Sequence, residues 1–317
     1  MAKTKEIQRR IKSVNNTKKI TKAMEMVAAS KMRKSVEAVL KTRTYANLAW
    51  VTVLNIAGAS DSGKNLHPLL NVRSKIKKVA IFLISSNRGL CGSFNSNIIN
   101  KAVDSIKKHG NIDTDFIIIG KKGLAVNSRF KYKIEAEFQK TDFISQIKEI
   151  TPIAKLLIDE FLAEKYDKVF VAYTDFVNNS KQVPRIKQVL PVDISAEDEY
   201  LGVVGKDDRV GSDKKYIAEK ESKYLRDNGH KYIFTYEPGS EEVLNQMLPR
   251  LIEVQLFQAL LESNASEHSV RMTAMHQATE AADDLAKELV LFYNKARQSA
   301  ITSEIAEISA GANALKR

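Results

Sequence analysis

The chain has 317 residues, a net charge of +12 and one cysteine. Its length implies one large domain or two smaller units. A single cysteine excludes an internal disulfide, and the longest unbroken apolar run, "VAIFLI" at 79–84, is far short of the roughly 20 apolar residues of a membrane-spanning helix.

The first 57 residues contain no glycine and no proline; the first of each is Gly58 and Pro68. Average helices run about 11–12 residues, so such a tract predicts an unusually long helix. Ile7, Ile11 and Val14 step by +4 and +3, as do Ile20, Met24 and Val27. Ala23, Ala28 and Ala29 lie beside this narrow stripe and let a second helix backbone come close. Thirteen Lys/Arg stand against three Glu here, a net of +10. The charged, periodic start has no apolar core of a secretory signal and reads as a structural helix.

Residues 58–249 hold the other glycines and prolines apart from Gly311. Predicted strands are Val79–Ser85, Asp115–Ile119, Lys168–Thr174 and Tyr232–Tyr236. Predicted helices are Asn95–Lys108, Lys121–Asn127 and Pro152–Lys165. Apolar runs alternating with amphipathic segments predict an α/β domain, Rossmann-like, with a mainly parallel sheet and helices on both faces. Residues 195–231 are polar, charged and glycine-bearing, and read as a long insertion.

The last tract again lacks breakers, from Pro249 to Gly311. Ser240 is a predicted N-cap, with Glu241 and Glu242 where the helix dipole favours acids. Pro249 is expected to kink or restart the helix. "LIEVQLFQALL" (251–261) is apolar on more than one face and expected to be buried. Met275, Ala278, Ala282, Leu285, Leu289, Phe292 and Ala296 form a coiled-coil seam in steps of three and four, continued by Ile301, Ile305 and Ile308. From 240 to 317, seven Lys/Arg oppose eleven Asp/Glu, a net of −4. Complementary seams and opposite charge predict an antiparallel pair of the two chain ends. At ~1.5 Å per residue, 55 residues would extend about 80 Å, a protruding rod. The expected organisation is 1–58 coiled-coil helix, 72–238 α/β domain and 240–317 coiled-coil helix.

The stretch "SSNRGLCGSFN" (85–95) raises the question of chemistry, because Cys91 follows a strand between glycines. It is not the G-x-G-x-x-G fingerprint, and no G-x-x-x-x-G-K-[ST] occurs. "GKKG" (120–123) is too short for a phosphate loop. A nucleophilic Cys91 would need a base. His268 and His276 fall in the helical tract, expected away from the sheet, and His109 at the sheet's other end. No zinc-ligand spacing appears. The basic N-terminal helix could contact nucleic acid, but its apolar stripe runs through the charged part. A free-standing α/β enzyme and a nucleic-acid-binding protein stay open as alternatives at this point.

Three segments carry a likeness. "IQRRIKSVNNTKKITKAMEMVAASKMRKS" (7–35), "SSNRGLCGSFN" (85–95), and the pair "ASEHSVRMTAMHQATEAADDL" and "LFYNKARQSAITSEIAEISAGANAL" (265–285, 291–315) closely resemble signatures of γ subunits of F-type ATP synthases. The resemblance implies a central-stalk rotor without catalytic residues, cofactor or metal. Its coiled coil would turn inside the α3β3 hexamer, and its α/β domain would meet the ε subunit and the c-ring. Proton- or sodium-driven rotation would then cycle the β sites for ATP synthesis, or run in reverse. It also implies a peripheral place on the cytoplasmic face of a bacterial inner membrane, with no membrane span and no nucleic acid. Lys22, Met24 and Glu25 match the stretch facing an acidic lever of β, with Arg88 and Cys91 in a loop beside it. Arg297 and Gln298 match a pair that bonds a β catch loop, and Tyr236 and Glu237 the c-ring and ε region. The 195–231 insertion stands where chloroplast relatives carry a cysteine-paired redox switch. Lacking cysteine, it cannot work that way, and is expected to be a surface element near ε that limits reverse rotation.

Overall fold

The computed structural model describes residues 2–59, 67–73, 75–108, 110, 112–141, 146–192, 237 and 239–315. The 195–231 insertion, the expected strand Tyr232–Tyr236 and His109 lie outside the described residues. Chain order is α1 (Ala2–Ala59), β1 (Lys78–Ile84), α2 (Phe94–Lys108), β2 (Asp113–Ile119), α3 (Ala125–Phe130), β3 (Lys133–Phe138), α4 (Thr151–Leu162), β4 (Lys168–Phe176), β5 (Gln182–Leu190) and α5 (Ser240–Leu315). The chain divides into two compact units: Lys31–Val270, and Met1–Ser30 together with Arg271–Arg317. The α1 residues from Lys31 onward and the α5 residues up to Val270 thus group with the sheet. A division at the helix boundaries near 58 and 240 had been expected instead.

In the larger unit the sheet order is β3-β2-β1-β4-β5, parallel except for β5, which runs antiparallel to β4. After Lys78, β1 reads VAIFLI without polar interruption because both its faces are covered. Its side chains alternate: Ala80, Phe82 and Ile84 join one core, and Val79, Ile81 and Leu83 the other. The first core is closed by α4 and by α5 residues from Leu244 to Leu261, the second by α2 and α3. Segment 251–261 is buried nearly all round, as its composition required.

Two strands escaped the sequence reading, the outermost ones among the described residues. β3 (KIEAEF) and β5 (QVPRIKQVL) carry charges, and β5 carries Pro184. Edge strands tolerate both, since one side needs no ladder partner. The expected helix Lys121–Asn127 is a 3-10 turn, Lys121–Leu124, leading into α3. α5 starts one residue earlier than expected in capping terms: the Val243 N–H donates to the Gly239 carbonyl at 3.0 Å, so Gly239 takes the cap position and Ser240 is already helical. Pro249 does not restart the helix, which runs unbroken through it. Leu248, Leu251 and Ile252 are fully buried beside it, and this packing outweighs the missing backbone bond.

The smaller unit is an antiparallel helical pair. As the α1 number rises from Lys18 through Thr21 to Glu25, its α5 partner falls from Asp283 through Thr279 to His276. The shielded stripe of α1 is Thr4, Ile7, Ile11, Val14, Lys18, Thr21, Glu25 and Ala28, in alternating steps of three and four. The expected continuation through Ile20 and Val27 is wrong: they are 60% and 55% exposed. Ile7, Ile11 and Val14 set a seven-residue repeat, and that repeat admits Lys18, Thr21 and Glu25 because α5 supplies polar partners for them. On α5 the seam runs Met275, Thr279, Ala282, Ala286, Leu289, Tyr293, Ala296. Leu285 and Phe292, expected inside, are 46% and 54% exposed. Ile301, Ile305 and Ile308 are exposed too, since in this register α1 runs out near residue 300 of α5.

Candidate functional site

The middle of the helical pair is a polar ladder. Lys18 Nζ lies 2.5 Å from Asp283 Oδ1, Lys287 Nζ 2.9 Å from Asp283 Oδ2, and the Thr21 and Thr279 hydroxyls are 2.8 Å apart. Hydrogen bonds from Lys18 and Lys287 pull the Asp283 carboxyl down to about 2. A depressed carboxyl contributes stability above its ordinary range and loses it as pH falls through the lowered value, so this rung persists until the pH approaches about 2. Lys22 Nζ lies 3.0 Å from Glu25 Oε1, and His276 Nδ1 reaches the same oxygen at 3.4 Å.

Lys22, Met24 and Glu25 therefore share one stretch of α1, with different exposure. Lys22 is exposed, Met24 half-buried, and Glu25 turned into the seam between Lys22 and His276. Arg297 and Gln298 are exposed neighbours on α5. The register sets Arg297 level with the residues near Thr4, about 30 Å along the pair from Met24 at ~1.5 Å per residue. These are two separate stations rather than one site.

In the larger unit, loop 85–95 closes on itself. The Asn95 amide nitrogen lies 2.7 Å from Ser86 Oγ and 3.2 Å from Cys91 Sγ, while Ser86 N–H donates to Asn95 Oδ1 at 3.0 Å. The Arg88 carbonyl is 3.8 Å from Sγ. A hydroxyl, an amide and a carbonyl surround the thiol, and none of them is a base that could activate it. Cys91 is only 2% exposed. The expectation that it faces a neighbouring subunit therefore fails for its side chain, because a small residue packs under the tight turn that exposes Arg88, Gly89 and Leu90. A bulky thiol reagent should label Cys91 far more slowly in the folded chain than in denaturant; equal rates would contradict this burial.

The "GKKG" turn is likewise occupied from within. Gly123 N–H donates to Ser85 Oγ at 2.8 Å, Lys122 N–H to the Ser86 carbonyl at 2.9 Å, and Lys121 N–H to Asn87 Oδ1 at 3.4 Å. A phosphate cradle needs such amides free and converging.

In open α/β sheets ligands bind beyond the strand C-termini where the strand order reverses, here between β1 and β4. α5 fills that crevice. Lys140 Nζ is 2.6 Å from Glu267 Oε2 and 3.1 Å from the Ser85 carbonyl, Ser266 Oγ donates to the Thr174 carbonyl at 3.1 Å, and Ser269 Oγ to that of Asn179 at 3.1 Å. Gly92 has φ +52, and a Cβ there would come within 3.1 Å of Val270. His268, expected away from the sheet, is buried in this same segment. Sequence reading missed Lys140 and Glu267. The one signal was the polar run "ESNASEHS" (262–269) inside an otherwise apolar helix. Among the predicted contact residues, Glu237 is exposed and Tyr236 lies outside the described residues.

The fold is an α/β sheet protein whose chain ends pair as antiparallel helices and whose own helix occupies the sheet's ligand crevice. The family described as ATP synthase matches residues 3–315. An ATP synthase gamma chain of Herpetosiphon aurantiacus is 40% identical over all of both chains, and that of Roseiflexus castenholzii 41% over 99% of each. The chain belongs to the ATP synthase gamma chain family. The fold also matches a chain in the Euglena gracilis mitochondrial ATP synthase structure described as OSCP/F1/c-ring (TM-score 0.64, 17% identity, 99% of this chain and 95% of that one). A second match is in the central stalk/c-ring structure of the Tetrahymena thermophila mitochondrial ATP synthase (0.57, 24%, 82% and 99%).

Proposed function

We propose that the chain is the non-catalytic central-stalk rotor of an F-type ATP synthase, coupling ion-driven rotation of the c-ring to the conformational cycle of the β subunits. Full-length kinship with gamma chains carries this reading. The exposed apolar side chains of α5, among them Leu291, Phe292, Ile301, Ile305 and Ile308, form a surface suited to enclosure by partners, here the α3β3 hexamer. The exposed cations of α1, including Lys22, suit acidic levers on β, and Arg88 presents a further cation on its loop. Exposed ion pairs are individually worth roughly 0–1 kcal/mol, weak enough to break and reform each turn.

Arg297 and Gln298 are the proposed catch-loop contacts. Tyr236 and Glu237 are the proposed contacts to ε and the c-ring. No helix among the described residues is long and apolar enough to cross a membrane; a peripheral place on the cytoplasmic face of a bacterial inner membrane follows from the assembly. Tagged chain expressed in its own cells should co-purify with α and β subunits. In the assembled complex, Arg297→Ala should lower ATPase turnover several-fold with normal subunit composition. Full turnover in that variant would remove Arg297 from the contact.

A further inference from the structure

Residues 258–269 of α5 are buried, yet many are polar, among them Gln258, Glu262, Asn264, Ser266, Glu267 and Ser269. A helix held only by packing would be apolar here. Apolar contacts are non-directional, so by themselves they specify the angle of a helix about its axis less sharply than directional bonds do. Hydrogen bonds and a buried ion pair fix the angle of the helix about its axis. With about 100° per residue, the bonded positions 266, 267 and 269 span about 160° of the circumference. Thr174 of β4 holds Ser266, Lys140 beyond β3 holds Glu267, and Asn179 of the β4–β5 turn together with Gln182 at the start of β5 holds Ser269. Rotation in either sense strains one side of this arc. A buried ion pair adds little stability over an apolar pair of similar volume, and orientational specificity is its better-attested use. α5 then continues beyond Val270 as the same unbroken helix.

We propose that this cluster, with Lys140 and Glu267 as positioning residues, is the grip through which torque passes between α5 and the sheet. The inference rests on the rotor reading. The test uses the complete ATP synthase in sealed vesicles, with ATP hydrolysis and ATP-driven ion uptake measured together against a rising opposing gradient. The paired variant Lys140→Met/Glu267→Leu keeps the volume and removes the directional bond. It should hydrolyse ATP at the normal rate without load, yet stall at a smaller gradient, with several-fold fewer ions moved per ATP near stall. Lys140→Arg should couple like wild type. Unchanged ion-to-ATP ratios at every gradient in the paired variant would overturn the grip while leaving the rotor intact. A wild-type chain that supports no pumping would remove the rotor reading and the proposal with it. Glu267→Gln provides a second reading should the paired variant not assemble: an earlier stall supports the grip, and a normal one overturns it.

Discussion

Gly120→Ala should destabilise the α/β unit by about 2–6 kcal/mol, adding roughly 1–3 for a strained backbone to roughly 1–3 for overpacking. Gly120 has φ +98, where L side chains are rare, and an added Cβ would lie 2.4 Å from the Ser85 carbonyl oxygen and 2.8 Å from Ser85 Oγ. The obstacle is backbone, which cannot swing aside as a flexible side chain could. Relief would require moving the end of β1 away from that of β2, breaking the Ser85 N–H bond to the Ile119 carbonyl and the Ser85 Oγ bond to the Gly120 carbonyl. Total stabilities are roughly 5–15 kcal/mol, so the urea midpoint of the purified chain should fall by a large fraction, or the variant should not fold. A midpoint equal to wild type would mean the turn opens freely.

Lys140→Met should cost about 3–5 kcal/mol, the usual penalty for removing one partner of a buried ion pair. The Glu267 carboxylate stays in the interior without this ammonium, and the Ser85 carbonyl loses its 3.1 Å donor. Adding Glu267→Leu should restore most of the loss, because the desolvated charge is then gone. Denaturation of wild type, both single variants and the double variant forms a complete cycle. A double variant as unstable as the single one would show that packing, not charge, dominates there.

Much of the architecture was legible locally. The core of β1 announces itself because a strand covered on both faces must be apolar throughout. The two long helices announce themselves because most of their length, residues 2–57 and 250–310, holds neither glycine nor proline. β3 and β5 stayed hidden because they are the outermost strands among the described residues, and a strand paired on one side carries charge, and in β5 a proline, without penalty. Cys91 looked like a nucleophile in the sequence, and its neighbours Ser86 and Asn95 make it a packed thiol. Ile20 and Val27 looked like seam residues by hydrophobicity. Lys18 and Glu25 hold those places because Asp283 and His276 face them. Lys140 could not be connected to Glu267 from sequence at all, since 127 positions separate them.

The order of helices and central strands, the family, and the opposite charges of the two ends follow from the sequence by itself, because propensity, periodicity and signature are properties of short contiguous stretches. The seam register, the filling of the sheet's crevice by α5 and the pairing of Lys140 with Glu267 were decided only in three dimensions. Each depends on what stands opposite a residue, and in a low-dielectric interior the facing partner determines whether a polar side chain is tolerable there.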